Sequence, residues 1–416
     1  MKKQKKKVLI VGSSAKEYAL VRKLKEYDCD VVVAPGNRMI SEITECADIR
    51  ETAIKELLEY VFENAVDLTI ASSSVAIEAD IASLFNLNGQ MIFAPSRQSA
   101  DAVISRAATK KMLYRLKAAS PRFAVYDKFQ NAVEYLKTAG FPQVISTDKP
   151  FEGQDRLVCT TFAVAKTFAE DLFCRGEERV VFEDYVYGHE FTMYFVTDGY
   201  HALPFCTVAN YKFSRDNDGG LLTSGVGAYS PDYKISVELE NNILKYVVNN
   251  FLQILVKRET PYIGILGIDA VLRDDGKYSI LGFKPFLGEH DSDVVLSLVQ
   301  ENIIELFTAC SVGSFADDYN EIKISDNASV SCVLSGMQEG KVISGLELID
   351  SVFTPFSIGK NKYFEYETVE GKNFVLSNNA KTLSRARKGL YDDIDLINYD
   401  GKKYRKDICE LKISEG

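Results

Sequence analysis

The first hundred residues alternate short apolar runs with amphipathic stretches, and nothing else in the chain restricts its fold as much. VLIVG (8–12), VVVAP (31–35), DLTIASS (67–73) and MIFAP (91–95) read as buried strands. Between them KEYALVRKLKEY (16–27) and AIKELLEYVFENA (53–65) carry apolar residues at helical spacing. Beta–alpha alternation with short connections predicts a parallel sheet covered by helices on both faces. Such sheets bind ligands at the carboxyl ends of their strands, here GSSAKE (12–17), PGNR (35–38) and SSSVAIE (72–78). None has G-x-G-x-x-G spacing, so a dinucleotide fingerprint is absent.

At 416 residues the chain exceeds one ordinary core, and roughly two to four domains are expected. DAVISRAATKKMLYRLKAA (101–119) reads as one amphipathic helix. FPQVISTDKPFEGQDRLVCTTF (141–162) reads as strand, polar turn, strand and the start of a helix, and RVVFEDYVYGHEFTMYFVTDG (179–199) as two strands around a break. NYKFSRDNDGGLLTSGVGAYSP (210–231) reads as a long polar loop, followed by a helix over about 235–257. GILGIDAVLR and KYSILGF form a hairpin over a D-D-G turn at 274–276, and the segment after 325 is strand-rich.

A net charge of −10 argues against a nucleic-acid groove. The basic tip MKKQKKK precedes an apolar run too short for a signal peptide. No stretch approaches the roughly eighteen apolar residues of a membrane span, so a cytoplasmic protein is expected. The eight cysteines contain no C-x-x-C pair, which predicts free thiols in a reducing compartment and no zinc site. Three histidines leave little room for histidine-based catalysis.

In order and spacing, several of these segments carry a specific resemblance. KVLIVGSSAKEYAL, VVVAPGN, DLTIASSSVAIEADIA, IFAPSRQSA, VVFEDYVYGHEF, GVGAYSP and YDGKKYRKDI resemble, nearly end to end, the phosphoribosylamine–glycine ligase family of ATP-grasp ligases in purine biosynthesis. The resemblance implies an α/β chain with the ATP-grasp fold. An N-terminal parallel α/β (pre-ATP-grasp) domain would occupy residues 1–100 and an ATP-grasp region 101–320, with a lid over about 118–185. A strand-rich C-terminal domain would occupy 321–416 and end in a hairpin at YDGKKYRKDI. It also implies ATP as cofactor, with magnesium, and the joining of glycine to phosphoribosylamine.

Carried over residue by residue, the resemblance places the adenine hinge at Glu183, Asp184, Tyr185 and Val186, with Glu190 on the ribose and Arg106 on the phosphates. Gly12, Glu17, Pro35, Gly36, Asn37, Lys212, Gly227 and Tyr229 fall on the substrate side. Other positions depart from the pattern. Ser146 stands where the family has a phosphate lysine, and Pro150, Phe151 and Glu152 fill a loop that needs small residues, with Lys149 as a displaced cation. The family's magnesium glutamate falls on Gly282 and its asparagine on Lys284. Asp269, on the preceding strand, is then the one carboxylate placed for a metal, and Lys284 and Asp269 are the residues on which any catalysis would turn.

Losing both oxygen ligands and gaining an ammonium is hostile to magnesium. The expectation is a divergent paralogue with weak or lost ligase activity that takes a nucleotide or purine-pathway metabolite. A working ligase using Asp269 with Asp291 or Asp293 and Lys284 is the second reading. The third is a non-catalytic scaffold, as a homodimer or paired with an authentic ligase. For Glu289, His290, Asp291 and Asp293 a zinc site is considered, and a solvated acidic loop is preferred.

Overall fold

The structure is a computed structural model that describes residues 5–150 and 154–410. The start of the basic tip, together with Phe151 and Glu152 of the expected phosphate loop, lies outside the described residues.

The predicted N-terminal sheet is present and wholly parallel. Its five strands lie in the order Glu45–Cys46, Cys29–Pro35, Lys6–Gly12, Leu68–Ala71 and Ile92–Phe93. The chain builds outward from Lys6–Gly12 on one side and then returns to build on the other, so a switch point opens between Gly12 and Ala71. Val8 and Ile10 pack on one face of the sheet, while Leu9 and Val11 pack on the other. A strand buried on both faces must be apolar at every position, which is why VLIV does not alternate.

Residues 101–119 do not form one helix. Arg97–Ile104 and Arg106–Leu116 are separate, and Ser105 caps the second by accepting from the Ala108 amide. Asp148 completes the break, accepting from the Ser105 hydroxyl at 2.7 Å and the Ala107 amide at 2.8 Å. The apolar period runs on through Ser105, so only a partner 43 residues away reveals the interruption.

The lid is a four-stranded antiparallel sheet in the order Phe123–Tyr126, Val180–Asp184, Gln143–Thr147 and Arg156–Cys159. Helices Phe129–Leu136 and Phe162–Cys174 cover one of its faces.

A second, eight-stranded sheet forms the body. Its order is Tyr278–Lys284, Ile263–Leu272, His189–Asp198, Ala202–Arg215, Gly219–Ser230, Ala328–Gly336, Gly371–Ala380 and Val352–Pro355. Residues 210–231, expected as a long polar loop, instead belong mostly to a long antiparallel hairpin of Ala202–Arg215 and Gly219–Ser230. Its turn places Asn217 and Asp218 at φ 54° and 53°, a conformation that Asn and Asp tolerate better than most residues. Two register shifts and several charged residues break the alternation that would have marked the strands. The expected hairpin at YDGKKYRKDI is also absent. That segment makes an isolated bridge, Lys403 to Ser335, with Asn398 just before it bridged to Ser344, after a helix at Leu383–Leu396 that the strand-rich reading omitted. Among the described residues no helix is long and apolar enough to cross a membrane. All eight cysteines are free, and Cys174 is exposed.

Candidate functional site

Asp269 and Lys284 come together as neighbours on adjacent strands of the body sheet, where Gly282 is the cross-strand partner of Asp269. The Lys284 ammonium lies 3.1 Å from one Asp269 oxygen, and the Lys212 ammonium 3.1 Å from the other. Thr192 donates to Asp269 at 2.5 Å while accepting from Asn210 at 2.6 Å and Lys284 at 3.3 Å. Lys212 also lies 3.3 Å from Glu190. Burial alone would raise the Asp269 carboxyl. Lys212, Lys284 and Thr192 outweigh it and hold the group far below the usual carboxylate range. Burial likewise opposes charge on Lys212, but Asp269 and Glu190 win and keep its amine above the ordinary value.

This donor set does not suit magnesium. Both Asp269 oxygens are occupied by ammonium groups, and Gly282, its cross-strand partner, offers no ligand. Among the described residues no three His, Cys, Asp or Glu side chains are grouped to hold a metal.

The acids beyond Lys284 are not a solvated loop. Asp291 is 0% exposed and Asp293 2%. Asp291 accepts from the Tyr194 hydroxyl at 2.8 Å and lies 3.8 Å from Lys284. Asp293 turns away from Asp269 to pair with Arg22 of helix Ala15–Leu24, so it cannot complete a metal site there. Their burial follows from the start of helix Ser292–Leu298, which packs against helix Ala15–Leu24 with these charges neutralised. His290 is no zinc ligand. Buried beside Asn210 at 2.9 Å, its imidazole is pushed down to about 3 by burial, with Asp291 opposing and Lys284, Lys372 and Lys212 adding to the shift.

On the hinge, Glu183 pairs with Lys110, a fully buried residue of helix Arg106–Leu116 that the sequence reading passed over. Lys110 also donates to the Leu281 carbonyl at 2.5 Å, tying lid, helix and body sheet together. Asp184 accepts from Gln143 at 2.6 Å, and the Tyr185 amide donates to the Pro142 carbonyl at 3.1 Å. Val186 is half-buried in the crossing segment that follows. Arg106 does not reach out as a phosphate ligand. Its guanidinium is spent on Thr147 and Asp155 within the lid hairpin. Lys149 is engaged at the surface with Glu78 at 2.7 Å.

At the switch point of the parallel sheet, Gly12, Glu17, Pro35, Gly36 and Asn37 gather as expected, but they bind one another. Glu17 accepts from the Ser14 amide at 2.7 Å and from the Ser14 and Ser72 hydroxyls at 2.5 Å each. Gly12 has φ +155°, and a Cβ there would stand 2.5 Å from the Glu17 carboxyl, so a side chain is excluded. Asn37 donates to the Ser13 carbonyl at 2.7 Å, and the Gly36 amide to Gly12 at 3.2 Å. Glu51, not singled out from sequence, bridges the two loops by accepting from Ser13 at 2.9 Å and from Ser73. The three other expected substrate residues lie elsewhere. Lys212 belongs to the Asp269 cluster. Gly227 is pressed against Ile408 and the Ser331 carbonyl, and Tyr229 is 5% exposed in the core beneath the C-terminal segment. These last two have packing roles, because their strand pairs with Ala328–Gly336.

A parallel α/β domain, a small antiparallel sheet and a large antiparallel sheet in this order are the architecture of an ATP-grasp protein. Solved structures agree on the fold. Phosphoribosylamine–glycine ligase from Thermotoga maritima superposes with a TM-score of 0.81 at 20% identity, covering 97% of this chain and 100% of that one. The biotin carboxylase domain of Hydrogenobacter thermophilus 2-oxoglutarate carboxylase gives 0.70 at 12% identity, over 97% and 92%. Family models match in two parts: the phosphoribosylglycinamide synthetase N domain over residues 6–102 and its ATP-grasp (A) domain over residues 104–290. Among curated relatives, phosphoribosylamine–glycine ligases of Caldanaerobacter subterraneus and Clostridium acetobutylicum are each 27% identical. They cover 97% and 98% of this chain and 99% and 100% of their own lengths. The chain belongs to the phosphoribosylglycinamide synthetase family.

Proposed function

We propose that this protein is a divergent phosphoribosylamine–glycine ligase-like member of purine biosynthesis type that retains the nucleotide cleft and has lost most or all of the ligase reaction. One observation carries the reading: Lys284, at a position where the family resemblance puts a magnesium ligand, lodges its ammonium against Asp269. Making an acyl phosphate from ATP requires charge neutralisation on the transferring phosphoryl group, which a divalent ion normally supplies. Here Lys212 and Lys284 supply positive charge, but Asp269 and Glu190 already absorb much of it. The switch-point loops give independent support, since Ser13, Ser14, Ser72 and Ser73 spend their hydroxyls on Glu17 and Glu51 rather than leaving them for a substrate.

Two measurements on the purified chain test this. ADP release from ATP with glycine and phosphoribosylamine should stay at background, and ATP should raise the thermal midpoint to the same or a greater extent without magnesium as with it. Magnesium-dependent ADP release that disappears in Asp269→Ala would instead establish a working ligase. No stabilisation by any nucleotide would leave a scaffold, alone or paired with an authentic ligase.

A further inference from the structure

We infer that the cleft holds a polyphosphate anion on side-chain cations alone, with Arg156 of the lid and Lys372 of the C-terminal segment as its ligands; this rests on the nucleotide-cleft reading above.

The argument begins with the two faces of the lid hairpin. Ile145 and Leu157 stand directly opposite each other and pack toward the lid helices with Phe168 and Phe182. The next opposed pair, Ser146 and Arg156, points to the other face, because side chains alternate along a strand. That face meets the body sheet, where strand Arg156–Cys159 touches strand Gly219–Ser230. Ser146 is 2% exposed, and its hydroxyl has no hydrogen-bond partner. The Arg156 Nε is also buried without a hydrogen bond; it pairs at 3.5 Å with one oxygen of Asp155, whose other oxygen Arg106 holds. The positive charge missing at Ser146 is therefore delivered by its cross-strand neighbour.

Lys372 reaches the same region from strand Gly371–Ala380. Its ammonium donates at 2.6 Å to the Ser224 hydroxyl and at 2.6 Å to the Gly225 carbonyl, both neutral groups. Among the described residues no carboxylate lies within ion-pair distance of it. Burial pushes its amine down to about 8, with Glu289 opposing and Arg156 adding to the shift. Arg106 and Arg156 are neighbours, meeting the two oxygens of Asp155. Among the described residues, Lys212 pairs with Asp269 and Glu190, Arg106 and Arg156 share the single carboxylate of Asp155, and Lys372 has no carboxylate within ion-pair distance.

Cations gathered against their mutual repulsion, beside an unpartnered buried hydroxyl, call for an anion with several separated charges. A guanidinium matches phosphate oxygens in a bidentate fork, and an ammonium adds a point charge. With both Asp269 oxygens occupied by ammonium groups, the free polyphosphate fits better than its magnesium complex, which carries less negative charge.

Calorimetric titrations of the full chain with tripolyphosphate and with ATP, each in EDTA and in excess magnesium, test the inference. Both ligands should bind in EDTA, and magnesium should weaken them. Arg156→Gln and Lys372→Met should each lower affinity on the order of tenfold or more, the scale of one charged hydrogen bond. Arg156→Lys should recover part of the loss, and unliganded thermal midpoints near wild type would show that the variants fold. ATP bound equally well by wild type and both variants would overturn the clamp and leave the nucleotide reading standing. Tripolyphosphate bound in EDTA and lost in the variants, with ATP no tighter, would support the clamp and remove the nucleotide. Binding only with magnesium, or no binding of either ligand, would overturn the inference.

Discussion

Replacing Asp269 by Asn tests whether this carboxylate is a metal ligand or the anchor of an internal ion cluster, because the two roles predict opposite signs. In a metal site without its ion, acidic ligands are unpaired, and neutralising one usually stabilises the fold at the expense of function. Here Asp269 is clasped by Lys212 and Lys284 at 3.1 Å each, with side-chain exposures of 14%, 5% and 19% for the three residues. Removing one partner of a buried pair costs about 3–5 kcal/mol, and the residual solvent access of Lys284 trims this to roughly 2–4 kcal/mol. An unfolding entropy of about 2.1 cal/mol/K per residue turns that into a midpoint drop of about 2–5 °C if the whole chain melts together, and more if a smaller unit does. The assay is urea and thermal denaturation of wild type, Asp269→Asn, Lys284→Met and the double variant. The double variant should lose less than the sum of the singles by about 1–3 kcal/mol, since removing both partners leaves fewer unpaired buried charges. An unchanged or stabilised Asp269→Asn, or strict additivity, would refute the ion-cluster account.

Two other perturbations follow from the same network. Gly282→Glu combined with Lys284→Asn should create magnesium-dependent stabilisation that wild type lacks, because a Cβ at 282 meets no atom within 4 Å and lies across from Asp269. An unchanged midpoint in millimolar magnesium would contradict this. His290, pushed down to about 3, stays neutral in the fold while an unfolded histidine protonates near its ordinary 6.5. Its contribution is therefore complete above about pH 6.5 and is lost as pH falls toward 3, at up to about 1.4 kcal/mol per unit. His290→Gln should flatten the stability curve between about pH 4 and 6, and superimposable curves would rule the histidine out as the cause.

Much of the frame was legible along the chain. VLIV, VVVA and LTIA announced strands buried on both faces, and the D-D-G turn between Ile263–Leu272 and Tyr278–Lys284 followed from local turn chemistry. Reading Gly282 and Lys284 against the family pattern singled out two residues that lie beside Asp269 in the fold. Harder to read were the places where polar residues serve the interior. Residues 210–231 looked like a loop because Lys212 and Asn210, which break the apolar pattern, point into the ion cluster.

The sequence by itself determined the parallel N-terminal sheet and the lid strands within 141–162 and 179–199, since each depends on neighbouring residues. Tertiary structure alone decided where the charges went. Asp291 is buried against Tyr194, 97 residues away, and Asp293 against Arg22, 271 residues away. It likewise set Arg156 beside Ser146 across the lid hairpin. An ionised side chain can enter a protein interior only with a partner, and a linear sequence shows which charges exist but not which of them meet.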